Sequence, residues 1–359
     1  MKFATIPEAL KDMKAGRPLI VVDDPSRENE GDVVVAAGKA TPESINFMIK
    51  HARGLVCVPM LGERLRSLDI DPMVAENTSL HETAFTVSVD AKKGVTTGIS
   101  AQDRWRTIRL LVDPKAVPGD LSRPGHIFPL RYKDGGVLVR SGHTEAAVDL
   151  ARLAGLAPAA VICEVMNDDG TMARLPELAR FARRHKLKVV TISDLIAHRR
   201  RTERLVRRVS SQDLPTRHGR FTLHFYEDIP TGEHHGALVK GSISGRKDVL
   251  VRVHAACFAG DVLHGTSCDC GQMLEAAMRR VAKEGVGVVL YMHQEGRRMP
   301  GCPIPDAKNG VAGLREYGLG AQILSDLGLT TVKLLTNHPR KIVGLSGYGL
   351  KVTGTEPLK

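Results

Sequence analysis

The chain has 359 residues, 42% of them hydrophobic and 25% charged, with a formal net charge of +11. That length exceeds the ~250–300 residues at which a single core stops growing, so two domains are expected. No run approaches the ~18 apolar residues of a membrane span, which excludes a membrane protein. Six sparse cysteines (Cys57, Cys163, Cys257, Cys268, Cys270, Cys302) are no disulfide framework, and Cys257 to Cys270 crowd into fourteen positions, as metal or catalytic thiols do.

The opening MKFATIPE lacks the apolar core and cleavage site of a secretory signal, so a cytoplasmic location with reduced thiols is expected. A helix follows, capped by Thr5, with Pro7 in its first turn and Gly16 beyond its end. The apolar run Leu19–Val22 reads as a strand, emptying into DDPSRENEGD (23–32), and Val33–Ala37 reads as a second. Further strands are expected at 54–58, 84–89, 159–163 and 187–192, with helices at 141–156 and 176–185 between them. This pattern is an α/β domain ending near residue 198.

Six arginines fall between Arg199 and Arg208, where a linker is expected. Clustered cations invite a nucleic-acid reading, but aromatic residues for base stacking are only 4% of the chain. A solvated basic connector, and no nucleic-acid partner, is the expectation. Beyond it, strands are expected at 223–225, 249–253, 287–291 and 331–335 and a helix at 272–284, a second α/β domain beginning near Val209.

Polar clusters recur at element ends: Arg27-Glu-Asn-Glu-Gly-Asp32, Arg123-Pro-Gly-His126, Arg140-Ser-Gly-His-Thr-Glu145 and Glu164. Taken singly, such a loop is more often turn chemistry and a histidine at a helix start more often structural. Together they suit an anionic ligand at a helix N-terminus, Ser141 to Thr144, and a hard divalent ion on Glu28 and His143. Cys57 reads equally as a buried strand residue or a neighbour of that site.

These residues carry a resemblance. The block from about 5 to 198 resembles 3,4-dihydroxy-2-butanone 4-phosphate synthase through DDPSRENEGD (23–32), ENTS (76–79), GVTTGISAQDR (94–104), RPGHIFPLR (123–131), RSGHTEAAVDL (140–150) and CEVMNDDGTMAR (163–174). The resemblance implies conversion of ribulose 5-phosphate to the four-carbon precursor of riboflavin plus formate. It implies that Glu28 and His143 hold Mg2+ or Mn2+, and that Arg27, Asp32, Arg140, Ser141, Gly142, His143, Thr144 and Glu164 contact the sugar phosphate. His126 and Glu164 would be the acid/base positions, in a homodimer.

Downstream, Cys257, Cys268 and Cys270 could bind catalytic zinc, which keeps a position open, or a structural zinc closed by His254, His264, His293 or Cys302. Residues 210–342 resemble GTP cyclohydrolase II through RVHAACFAGDVLHGTSCDCG (252–271), HQEGR (293–297) and LLTNHPRK (334–341). That likeness implies Zn2+ on the three cysteines, Arg315 as nucleophile, and Arg252, Glu295, Arg297, Thr336 and Lys341 toward GTP. The sequence departs from the family pattern at Ala256 (a glutamate there), Ser267 (an arginine) and Gly313 (an acid/base aspartate), in a shortened stretch between Arg298 and Arg315, in a tyrosine without counterpart and in a missing tail. The expectation is a synthase domain over 1–202 and a degenerate, truncated cyclohydrolase-like domain over 209–359.

Overall fold

A computed structural model describes residues 3–293, 310–337 and 349–358. The chain divides into two compact units, Met1–Arg199 and Arg200–Lys359. In the first, elements follow as α1 (Ile6–Lys14), β1 (Leu19–Val22), β2 (Gly31–Ala36), α2 (Pro42–Phe47), β3 (Cys57–Met60), α3 (Gly62–Ser67), β4 (Val89–Ala91), α4 (Ala101–Val112), β5 (Leu121–Arg131), α5 (His143–Leu153), β6 (Ala160–Glu164), α6 (Leu175–His185), β7 (Lys188–Thr191) and α7 (Ile192–Thr202). The Thr5 hydroxyl accepts from the Glu8 amide while the Glu8 carboxylate accepts from the Thr5 amide, a reciprocal cap that satisfies two amides at the start of α1.

The strands form one mixed sheet in the order β4-β5-β3-β6-β2-β1-β7. Alternate residues feed opposite faces. Ile20, Val33, Val35 and Val58 pack with Ile45, Ile108 and Leu178 of α2, α4 and α6. Leu19, Val21, Val34 and Ile162 pack with Ala9, Ala147 and Leu195 of α1, α5 and α7. Burial on both faces explains why β1 and β2 read as unbroken apolar runs. The strand expected at 84–89 is displaced: Phe85 and Thr86 make only isolated bridges to Leu130 and Pro72, and the ladder begins at Val89.

The second unit runs β8 (Val206–Thr216), β9 (Gly219–Asp228), β10 (His234–Lys240), β11 (Val249–Ala255), α8 (Cys270–Glu284), β12 (Gly287–Met292), α9 (Gly310–Asp326), β13 (Thr331–Leu335) and β14 (Lys351–Glu356). Its sheet order is β14-β13-β11-β12-β10-β9-β8, with Ala277 and Val281 of α8 packed on Phe221, Leu250 and Val289. Both units are α/β, as expected. Among the described residues no helix is long and apolar enough to cross a membrane.

The solvated basic connector holds for Arg201, Arg204, Arg207 and Arg208, which are exposed, and is corrected at Arg199. Arg199 is buried in the last turns of α7, where its guanidinium donates to Asp149 Oδ2 (2.6 Å) and the Gly135 carbonyl (2.9 Å). Asp149 also accepts from Tyr132 Oη and the Val137 amide. Arg204 and Arg208 pair with Asp326 at 2.7 Å each, and β8 has begun by Val206. A run of like charges is solvated by default, but Arg199, Arg204 and Arg208 meet acceptors that sequence spacing does not reveal.

Candidate functional site

The acidic loop after β1 winds around one carboxylate. Asp23, whose side chain is fully buried, accepts from the amides of Glu28 (3.0 Å) and Glu30 (2.8 Å) and from Arg27 Nη1 (3.2 Å). Asn29 takes a left-handed conformation, φ 56°, which asparagine tolerates better than most residues. Arg174 braces the turn by donating to the carbonyls of Glu28 and Asn29, both at 2.6 Å. The hairpin register of β1 and β2, Val21 opposite Asp32 and Val22 opposite Gly31, closes the loop beneath.

His143 opens α5 and reaches this loop from 115 positions away. Its Nδ1 lies 3.5 Å from Glu28 Oε2, and its Nε2 lies 3.2 Å from the Val21 carbonyl and 3.9 Å from Asp32 Oδ1. A carbonyl only accepts, so Nε2 carries a hydrogen, and Nδ1, on the Glu28 side, carries the second proton while no cation is bound and offers a lone pair once it is lost. Asp23, Glu28 and His143 each offer one ligand atom, and these lie within 4.8 Å of one another. Metal–oxygen bonds of about 2.1 Å place neighbouring octahedral ligands about 3 Å apart, so two carboxylates and an imidazole in this arrangement suit a hard divalent ion.

The electrostatics are mutual. Burial opposes ionisation of Glu28, but the His143 ring and Arg27 outweigh it and hold the carboxyl at about 2. Burial likewise opposes the charged His143, yet Asp32, Glu28 and Asp23 raise it to about 9. Asp32 is pushed up to about 7 by burial, against the pull of His143. Without a cation, the cluster balances its acids with a proton on the imidazole.

Glu164 ends β6 opposite Asp32 in the β2 register. Its Oε2 accepts from the Leu55 amide at 2.8 Å. A Cβ on Gly54 would sit 2.4 Å from that oxygen and 2.5 Å from the Glu164 carbonyl, so glycine is required. Burial pushes the thiols of Cys57 and Cys163 well above the usual range, with Glu164 and Asp32 adding to it; both are neutral there.

The structure brings Glu28, His143 and Asp32 together, with Arg27 on Glu28 at 2.7 Å. In the 140–144 segment Ser141 is exposed, while Gly142, His143 and Thr144 are buried. Arg140 is committed to Glu145 at 2.6 Å and to the His81 carbonyl at 2.9 Å. His126 belongs to a separate contact, on Asp90, with Nδ1 2.6 Å from Oδ2. Asp23 and Glu145 lay inside the quoted motifs without an assigned role, and Asp90 lay outside them. Asp23 carried a signal, as the first polar residue after a buried strand, whereas Asp90 lies 36 positions from its partner and gave none.

In the second unit Cys257, Cys268 and Cys270 converge, with sulfurs within 4.8 Å and Cys257 to Cys268 at 3.8 Å. Tetrahedral zinc with bonds of about 2.3 Å separates sulfurs by about 3.8 Å, so the thiols fit that ion. Asp261 steadies Cys257 by accepting from its amide (2.8 Å), from His254 Nε2 (3.1 Å) and from Tyr291 Oη (2.9 Å). A Cβ on Gly260 would come 2.8 Å from the Cys268 sulfur. Arg252 donates to the Leu335 carbonyl at 3.1 Å, and the Thr336 amide donates to Glu356. Glu295, Arg297, Lys341 and the side chain of Arg315 lie outside the described residues.

Residues 7–198 match the family model for 3,4-dihydroxy-2-butanone 4-phosphate synthase, and residues 207–301 and 304–357 that for GTP cyclohydrolase II. The riboflavin biosynthesis protein RibBA of Endomicrobium trichonymphae is 53% identical over 373 residues, covering 99% of this chain and 93% of the relative. RibBA of Aquifex aeolicus is 52% identical, covering 100% and 93%. The crystal structure of RibBX, a two-domain 3,4-dihydroxy-2-butanone 4-phosphate synthase from A. baumannii, superposes with a TM-score of 0.81 at 40% identity, covering 98% of this chain and 99% of that one. A 3,4-dihydroxy-2-butanone 4-phosphate synthase solved with two magnesium ions is 48% identical, with a TM-score of 0.54, over 56% of this chain and 98% of that one. The chain is therefore an enzyme of riboflavin biosynthesis that belongs to the 3,4-dihydroxy-2-butanone 4-phosphate synthase family, with a GTP cyclohydrolase II domain behind the synthase domain.

Proposed function

We propose that the synthase domain, residues 1–202, converts D-ribulose 5-phosphate to 3,4-dihydroxy-2-butanone 4-phosphate and formate, with Mg2+ or Mn2+ held by Glu28 and His143. The observation that carries this is the 3.5 Å approach of the His143 Nδ1 to Glu28 Oε2, from elements far apart in sequence. When bound, the cation supplies Lewis-acid polarisation of the ketose oxygens. Arg27 and the amides at the start of α5, with Ser141 and Thr144, hold the sugar phosphate. Asp32 and Glu164, opposite one another across β2 and β6, stand as groups that exchange protons with substrate hydroxyls. His126 and Glu164 serve as acid and base for proton removal beside the ketone and for formate release. The working unit is a homodimer in the cytoplasm. Formate release from ribulose 5-phosphate, with and without EDTA and in Glu28→Gln, tests the reading.

The domain over 209–359 is, on this reading, a degenerate cyclohydrolase. The cysteines fit Zn2+, but Ala256, Ser267 and Gly313 remove groups for guanine, phosphate and the transferring proton, a combined loss of several kcal/mol. The assembled thiols and the RibBA names favour a second reading, a bifunctional enzyme that also hydrolyses GTP to a diaminopyrimidinone, formate and pyrophosphate. Incubation with GTP and Zn2+ separates them, since ready pyrophosphate release belongs to the bifunctional case alone.

A further inference from the structure

A cavity of about 760 Å³ opens beside α4, between that helix, the residues that follow β4 and the segments that hold Gly38, Asp120 and Ala157. Small-molecule sites commonly occupy ~300–1,000 Å³, so the space admits an organic ligand and not merely an ion. None of its lining residues belongs to the Glu28 and His143 cluster or to the thiol cluster.

The walls are of two kinds. Trp105, Leu110 and Val112 are partly buried against the main core and, with Pro114, form an apolar side. The Trp105 indole N–H is spent on the Ala40 carbonyl at 2.8 Å, which fixes the ring. Lys92, Lys93, Arg106 and Arg109 form a cationic side, and among the described residues none of them makes an ion pair. The arginines are placed by carbonyls instead. Arg106 Nε donates to Lys93 at 3.1 Å and Arg109 Nη1 to Gly38 at 2.9 Å, and a carbonyl orients a guanidinium without cancelling its charge. Gly94, at φ +73°, makes room for this, because a Cβ there would lie 2.3 Å from Arg106 Nε. The two acids of the lining are turned to backbone amides, Asp113 Oδ1 to Lys115 and Asp120 Oδ2 to Val117, both at 2.9 Å.

We propose that this cavity binds an organic phosphate carrying a planar ring, of the chemistry of a nucleoside monophosphate, with the phosphate on Lys92, Lys93 and Arg106 and the ring on the Trp105 side. A phosphate dianion takes charge-assisted hydrogen bonds from an oriented guanidinium, and neighbouring lysines add point charges. A planar ring gains affinity by packing on the fixed indole. An acyclic sugar phosphate has no such face to offer, so the cavity selects a different ligand from the one proposed for the Glu28 and His143 site.

Trp105 is the chain's only tryptophan, so its emission reports on this cavity. The test titrates the full chain with AMP, UMP, adenosine and inorganic phosphate while that emission is read, with circular dichroism to check that variants fold. AMP and UMP should change the emission saturably with Kd below about 1 mM, and adenosine and inorganic phosphate should bind at least about tenfold more weakly. Lys93→Ala and Arg106→Ala should each weaken AMP about tenfold, and added salt should weaken it in the wild type. Should Arg106→Ala not fold, the double variant Lys92→Ala with Lys93→Ala, confined to exposed residues, decides by the same titration. No saturable change with either nucleotide up to about 10 mM, or affinity that survives loss of both lysines, would overturn the proposal. Inorganic phosphate binding as tightly as AMP would overturn the part assigned to the ring.

Discussion

The two ligand clusters are built on opposite plans. In the first unit Asp23 and Glu28 come from one loop and His143 from a helix far along the chain, so sheet register assembles hard donors among buried, mutually compensating charges. In the second, the three thiols lie within fourteen positions, on a single turn and the helix after it. A local cluster persists as long as its own segment folds, whereas a cluster assembled by tertiary structure has the rest of a site around it. The first retains Arg27, Asp32 and Glu164 beside its donors; the second retains its ligands while Ala256 and Ser267 stand on the same segment. On the proposed reading, ligation and catalysis separate in the second domain and stay together in the first.

The sharpest break of this contrast is Glu28→Gln or His143→Ala. Each should cut formate release from ribulose 5-phosphate by about a thousandfold or more, while zinc retained by the second unit, measured by elemental analysis, stays at wild-type level. Next, turnover of GTP should stay roughly a thousandfold below that of a cyclohydrolase carrying the full set of groups. The double change Ala256→Glu with Ser267→Arg should raise it, followed by pyrophosphate release. A wild-type enzyme that already turns GTP over readily would erase the difference between the clusters.

A pH experiment sharpens the electrostatic half. His143 in the metal-free protein is raised from 6.5 to about 9, so its charge contributes stability that is fully present below 6.5 and is lost as pH rises through 9. A cation needs the neutral ring, so Mg2+ binding should release a proton below pH 9 and tighten about tenfold per pH unit there. Calorimetry in buffers of different ionisation enthalpy measures that proton. The smallest effect is local: Thr5→Ala should cost about 1 kcal/mol of stability, read by denaturant melts, by undoing the cap of α1.

Much of the scaffold was legible because local rules agreed with the fold. Leu19–Val22 and Val33–Val35 are apolar since both faces of the sheet are covered, and Thr5 and Pro7 marked the first helix. The strand at 84–89 misled because an alternating pattern shows amphipathic backbone, not which residues find a ladder partner. Arg199 misled because charge is legible and Asp149, its buried acceptor 50 positions away, is not. Glu28 and His143 stood out through motif resemblance, while Asp23, the carboxylate behind Glu28, acts through loop amides that only the fold brings to it.

Joint grip of one cation by Glu28 and His143 is the claim on which the rest stands. An anomalous difference map at the manganese edge, from crystals of the full chain soaked in Mn2+, tests it most directly. The account predicts a peak roughly 2 Å from a Glu28 carboxylate oxygen and from His143 Nδ1. A map with no peak between those side chains, from protein that is catalytically active in the same Mn2+ buffer, would contradict it.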